Sequence, residues 1–167
     1  MEIIESEFPV RVERFELTRD SGGPGNWRGG LGFLREYRIL EDETLFSLRT
    51  DKHDIAAWGS QDGGPGRKGS CVINPGTPDE IALPSRFGGF LLKKGDLLRL
   101  ERPGGGGMGL ASNRDAQKVL EDVVQGYISV AAAENQYGVA LKETASGLQI
   151  DTGRTETLRR HFPYEKT

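Results

Sequence analysis

Glycine placement constrains this chain more than any other feature of its sequence. There are 24 glycines in 167 residues, about twice the usual share of roughly 7%. They concentrate in three runs: Gly22-Gly23-Pro24-Gly25 continuing through Trp27-Arg28-Gly29-Gly30-Leu31-Gly32, then Gly63-Gly64-Pro65-Gly66 with Gly69, then Gly104 to Gly107 with Gly109. Glycine brings no side chain to a core and loses more backbone freedom on ordering than any other residue. Such runs therefore punctuate ordered elements, at turns, bulges or close approaches of backbone. A collagen-like reading fails, because the spacing is not a strict three and the intervening segments are apolar, β-branched or aromatic.

Between the runs the pattern is that of short strands. Val10 and Val12, then Phe15 and Leu17, alternate with charged residues across one slip of phase, which predicts a half-buried strand with a bulge. Phe33, Arg35, Tyr37 and Ile39 lie on one side of the next extended segment. With residues 44–50 beyond the polar turn Glu41-Asp42-Glu43, it reads as an antiparallel hairpin. Further strands are expected over residues 70–74, 80–83, 89–92 and 97–101, so the fold class is mainly β, an antiparallel sandwich or barrel-like domain. After Gly109 the period becomes helical. Ala116, Val119, Leu120, Val123 and Val124 follow a cap at Ser112 or Asn113 and stop at Gly126. Ser129 caps a second helix that Gly138 ends, a small hairpin follows over residues 139–142 and 148–151, and Asp151 or Thr152 opens a last helix running to Phe162. The expected organisation is a glycine-loop-rich β domain over residues 1–110 and, packed on the same domain, a helical tail with a small hairpin over residues 111–167.

Bulk properties exclude several classes of function. Lysine and arginine number 22 against 25 acidic residues, a net charge of -3 that offers a polyanion nothing, so no nucleic acid partner is expected. No stretch approaches the roughly 18 apolar residues of a membrane span, so no membrane is expected either. The acidic start Glu2, Glu5, Glu7 is unlike a signal peptide, and the single Cys71 has no partner for a disulfide; both point to the cytoplasm. Hydrophobic residues are 35% of the chain, enough for a thin core or one completed by a partner.

Several motifs in order carry a resemblance to a known family. They are Phe8-Pro9-Val10-Arg11-Val12, Asp20-Ser21-Gly22-Gly23-Pro24-Gly25, Trp27-Arg28-Gly29-Gly30, Arg35-Glu36-Tyr37, Trp58-Gly59, Gly63-Gly64-Pro65-Gly66, Asn74-Pro75-Gly76 and Pro103-Gly104-Gly105-Gly106-Gly107. Gly126-Tyr127-Ile128-Ser129 and Tyr137-Gly138-Val139 extend them. Together they resemble the C-terminal part of hydantoinase B/oxoprolinase proteins, whose members include N-methylhydantoinase B, 5-oxoprolinase and acetone or acetophenone carboxylase relatives. The resemblance implies a cyclic amide or ketone as small-molecule substrate. It implies as partners a hydantoinase A-type subunit and the remaining part of the B-type subunit, with ATP/Mg and a metal ion held there and no cofactor bound by this chain alone. One departure is Met108-Gly109-Leu110 after the glycines, where the family carries an aromatic and then Gly-Asp-Pro.

The expected role is therefore a C-terminal-type subunit or fragment of an ATP-dependent hydantoinase/oxoprolinase or related carboxylase complex, shaping a site or interface without a complete active site of its own. The residues expected to do so are Gly22, Gly23, Trp27, Arg28, Gly29, Trp58, Gly104, Gly105, Gly106 and Gly107. A free-standing β-sandwich binding module is the other reading. Arg28 is singled out as an interface residue, its planar fork suited to a carboxylate on another chain. Trp27 and Trp58 either brace the glycine loops from within or anchor a partner. Gly104 to Gly109 fits G-x-G-x-x-G, but the helix starts too late for a dinucleotide loop, leaving a close-packed or interface loop. Gly64 to Ser70 lacks the lysine of a phosphate-binding loop and reads as a solvated connection, or as an anion nest flanked by Arg67 and Lys68. Asp51 and His53 project to one face of an extended segment and are the candidate metal ligands, with a wet turn or salt bridge as the plainer reading. His161, beside Arg159 and Arg160, suits a helix C-terminus. Cys71 is expected to face a core as an inert thiol.

Overall fold

The computed structural model describes residues 2–161, so Phe162, the expected end of the last helix, lies outside the described residues. Contacts group the chain into two compact units that interleave along the sequence. One comprises Met1–Thr18, Gly32–Ala56 and Lys68–Pro103; the other comprises Arg19–Leu31, Ala57–Arg67 and Gly104–Thr167. Most of the glycines of the three runs fall in the second unit with the helical tail, while Gly32 and Gly69 fall in the first.

The first unit is an antiparallel β-sandwich with no closed barrel. A short helix α1 (Glu2–Glu7) precedes the strands β1 (Val10–Leu17), β2 (Phe33–Ile39), β3 (Thr44–Arg49), β4 (Ser70–Ile73), β5 (Ile81–Ala82), β6 (Arg86–Leu92) and β7 (Leu97–Glu101). One sheet has the order β1-β2-β7-β4-β5 and the other holds β3 and β6. The inward residues of both layers share one core, in which Ile39, Cys71, Ile73 and Leu98 meet Leu92, Phe46, Leu48 and Phe90. The phase slip read in β1 is a register shift between Val12 and Arg14. Helix α1 has no counterpart in the sequence reading; it is fastened by the Glu5 carboxylate, which accepts the Val12 N–H at 2.7 Å.

The expected hairpin of β2 with β3 does not form. Strand β2 has β1 on one edge and β7 on the other, and β3 pairs with β6 in the second sheet. Alternation fixes which side of a strand is buried but not its neighbour. Here the inward side chains of β3 serve as the facing layer that Ile39 and Leu98 need. The outer face of the large sheet is charged. Arg14, Glu36 and Arg99 stand in register across three strands, and Glu36, 4% exposed, accepts from Arg99 Nε at 2.7 Å.

The second unit carries α2 (Ala116–Val124), α3 (Val130–Tyr137), the hairpin strands β8 (Leu141–Thr144) and β9 (Gly147–Ile150), and α4 (Thr152–Arg160). Its core gathers Val119, Ile128, Ala133, Tyr137 and Val139, with Ala116 and Val123 of α2 and Leu141 and Ile150 of the hairpin packed on it. Ser129 caps α3 by accepting the Ala132 N–H, and Gly138 ends it at φ 63°. Asp151 caps α4. The cap of α2 is Asp115, which accepts the Gln117 N–H at 2.8 Å, and not Ser112 or Asn113. Those two residues belong to a preceding 3-10 turn, Ala111–Asn113, which carries the chain one step further before the α-helix begins.

Candidate functional site

The three glycine runs meet in the second unit and form one object. Residues 104–109 run through its middle, and four other extended segments, 21–25, 27–31, 57–60 and 63–67, hydrogen-bond to them. Gly104 N–H donates to the Arg67 carbonyl, Gly105 N–H to Gly30 and Gly107 N–H to Gly64. The Gly105 carbonyl accepts from Gly23 N–H and the Gly107 carbonyl from Ser60 N–H, all between 2.8 and 3.0 Å. Successive residues of the central segment thus address different neighbours in turn, which a flat two-fold strand does not do. Extended chains packed this closely tolerate only glycine at the crowded positions, the steric rule that also governs collagen.

Close approach, not left-handed backbone, explains the glycines, since none of Gly104 to Gly107 has a positive φ. A Cβ at Gly23 would lie 2.6 Å from the Gly107 nitrogen, and one at Gly25 would lie 2.6 Å from the Met108 nitrogen. At Gly104, Gly106 and Gly107 it would overlap the carbonyl oxygens of Ser21, Trp58 and Pro24. Gly66 is buried in the same way, its Cβ position filled by Gly104 and Gly105, so within the connection read over Gly64 to Ser70 the exposed Pro65, Arg67 and Lys68 are solvated while Gly66 and Gly69 are packed. Nothing in the local sequence says that another run will lie against this one.

A charged clamp fastens the bundle to α2. Asp122, buried on α2, takes Arg28 Nε at 3.2 Å and Arg114 Nη2 at 2.9 Å. Arg28 Nη1 then donates to the Gly29 carbonyl at 2.9 Å, and Arg114 Nη1 to the Asn26 carbonyl at 3.0 Å. The Arg28 guanidinium also stacks over Tyr127, 5.2 Å from the ring centre. The fork of Arg28 does grip a carboxylate, as its chemistry suggested, but one of its own chain. Asp122 and Arg114 escaped the sequence reading. The available signal was an acid three residues after Val119 on the apolar side of α2, a position that demands a buried cation.

The tryptophans point outward. Trp27 is 58% exposed and Trp58 78%, so neither braces the bundle from within. Lys118 of α2 lies 5.4 Å from the centre of the Trp27 ring. Trp27 and Met108 exchange both backbone hydrogen bonds at 2.9 Å as an antiparallel pair, while Ser60 bridges Met108 in parallel fashion.

The other candidates stay apart. The Asp51 carboxylate pairs with Arg86, whose hydrogen bond and charge hold it below the usual carboxylate range. His53 is partly buried against Gly69, and burial, opposed by Asp54, holds its imidazole below its ordinary value. Among the described residues no group of three or more His, Cys, Asp or Glu is placed to hold a metal ion. Cys71 is 1% exposed in the sandwich core, and burial pushes its thiol up to about 11. His161 is exposed at the end of α4. Among the described residues no helix is long and apolar enough to cross a membrane.

The Hydantoinase B/oxoprolinase family model matches residues 1–111. The B-type subunit of a putative D-/L-hydantoinase from Pseudomonas sp. (strain NS671) is 38% identical over 161 residues, which are 96% of this chain and 26% of that protein. The crystal structure of the ATP-dependent caprolactamase from Pseudomonas jessenii superposes with a TM-score of 0.78 at 26% identity, covering 95% of this chain and 28% of that one. A nucleotide-free structure of acetone carboxylase superposes with a TM-score of 0.82 at 22% identity, over 96% of this chain and 25% of that one, and shows the same fold. The chain thus spans about a quarter of the length of each of these three relatives.

Proposed function

The chain belongs to the hydantoinase B/oxoprolinase family, and from that premise we propose that it serves as the C-terminal-type quarter of an ATP-dependent assembly acting on a cyclic amide or a ketone. Proportion carries the reading: 96% of the chain aligns with a B-type hydantoinase polypeptide while covering only 26% of that protein. Its own donor set supports the same division of labour. Asp51 is taken by Arg86, His53 is held by burial, and Cys71 is a protonated core thiol, so these residues do not fit a metal or a nucleophilic centre of their own. ATP/Mg and the metal ion belong, in this reading, to an A-type subunit and the remainder of the B-type polypeptide.

What this chain contributes is a rigid body of backbone. Glycine segments bonded on several sides, and clamped from behind by Arg28 and Arg114, hold the rim residues in fixed positions, which is what a subunit interface or the wall of a site requires. The test is turnover of a hydantoin or 5-oxoproline with ATP. The isolated chain is expected to give none, and the chain combined with an A-type subunit and the remainder of a B-type subunit is expected to give ATP-dependent product. Turnover by the isolated chain overturns the reading. A stable monomer that joins neither partner favours the free-standing binding module instead.

A further inference from the structure

The clamp singles out one short stretch of surface. Arg28 and Arg114, both paired with Asp122, grip the Gly29 and Asn26 carbonyls, which flank Trp27 on either side in the sequence. The loop is thus anchored at the foot of a side chain that is 58% exposed. Directly opposed residues of a β-ladder put their side chains on the same face. Trp27 therefore stands beside Met108, which Ser60 bridges in turn, and Trp58 lies two residues before Ser60 on that same segment. Two exposed indoles and a thioether thus belong to adjoining segments of one hydrogen-bonded backbone. Trp58 and Met108 are themselves 78% and 39% exposed.

We infer that Trp27, Trp58 and Met108 form the platform on which the remainder of the B-type polypeptide docks. The inference rests on the family reading above and names the surface that it leaves open. The occupant follows from length: the B-type hydantoinase relative is about four times as long as the stretch this chain matches, and the same fold sits inside single longer chains in both solved relatives. Tryptophan is the residue most enriched at the energetic centres of interfaces, because it covers a large area with only two rotatable bonds. A rigid foot lowers the ordering cost of docking further. Apolar and sulfur-bearing groups suit a dry protein–protein contact better than a small polar substrate.

Hydroxyl-radical footprinting read by mass spectrometry tests this directly, since indole and thioether groups are among the most readily oxidised side chains. This chain is compared alone and grafted into the B-type hydantoinase polypeptide of Pseudomonas sp. (strain NS671) in place of the quarter it matches, with no A-type subunit present. Oxidation of Trp27, Trp58 and Met108 is expected to slow by about five-fold or more in the graft, as contact residues at the dry centre of an interface should. Leu45 and Phe15, 67% and 53% exposed in the other unit, serve as internal references. A folded graft in which both tryptophans oxidise at the free-chain rate overturns the platform and leaves the family reading standing. Should the graft not fold, the isolated chain is footprinted with the separately produced remainder of that polypeptide, and tryptophans that oxidise at the free-chain rate in the resulting complex overturn the platform. Tryptophans already shielded in the isolated chain, with a doubled mass in solution, assign the face to a second copy and overturn the inference as well.

Discussion

Arg28 and Asp122 stand 94 residues apart in the chain and 3.2 Å apart in the fold. Their contact, shared with Arg114, joins the glycine bundle to α2. A single carboxylate bridges two largely buried guanidiniums and offsets one of their two charges, so the three residues act as a unit. Asp122→Asn keeps the shape and removes the charge, leaving both arginines buried without compensation. The expected loss of stability is about 3 kcal/mol or more, read from the urea midpoint at constant slope. A loss under about 1 kcal/mol would mean that solvent reaches the cluster and that the clamp is ornamental.

The bundle makes a prediction that separates two of its glycines, one from the third run and one from the first. Gly104→Ala places a methyl group inside the Ser21 carbonyl, so backbone must move; the expected cost is at least about 3 kcal/mol, the upper end of overpacking. Gly30 has open space around its Cβ position and no positive φ. Gly30→Ala should therefore be neutral or stabilise by about 0.5 kcal/mol through the unfolded chain. Thermal midpoints of the two variants decide the matter, and equal midpoints would refute close packing as the reason for the glycines.

Alkaline pH should weaken the fold in a defined window. Burial raises the Cys71 thiol from 9.0 to about 11 and the Tyr137 phenol from 10.0 to about 12. The unfolded chain releases both protons at lower pH than the folded one, so the folded state binds more protons there and stability falls as pH rises. The stability is fully present below pH 9 and is lost between about 9 and 12. Urea midpoints from pH 8 to 12 should decline across that range, and less steeply between 9 and 11 in Cys71→Ala. An identical decline in that variant removes Cys71 as a contributor.

On the outer face of the large sheet, Glu36→Gln keeps the hydrogen-bonding outline and strands Arg99 beside a neutral amide. Since Glu36 is 4% exposed and Arg99 donates to it at 2.7 Å, a loss of about 2 kcal/mol is expected, as for other charge-assisted bonds. Denaturation in high salt distinguishes a buried pair from a surface one. The wild-type advantage should persist in 1 M salt, where the Debye length is about 3 Å and only a surface pair is screened away.

Much of the fold was legible locally. The phase slip in β1, the Ser129 and Asp151 caps, the Gly138 stop and the burial of Cys71 depend on a few neighbouring residues, and each appears where the pattern put it. The cap of α2 slipped to Asp115 because Ser112, Asn113 and Asp115 are all competent, and the intervening 3-10 turn decides among them. The partner of β3 was not legible, because alternation marks a face without naming the strand beside it. Of the candidate residues, Trp27 and Trp58 came out on the surface and Arg28 turned inward, a choice that the acid on α2 makes and the glycine run cannot.

The sequence by itself determined the family, the strand-and-helix order and the places where backbone must come close, since motif order, periodicity and the absence of a side chain are properties of the chain alone. Only the tertiary structure decided what lies against those places. That five glycine-bearing segments form a single bonded bundle, and that one aspartate on a helix holds it by two arginines, follows from which distant carbonyls and carboxylates fill the space left by missing Cβ atoms. No local pattern specifies that, because close packing is a relation between segments and has no period along the chain.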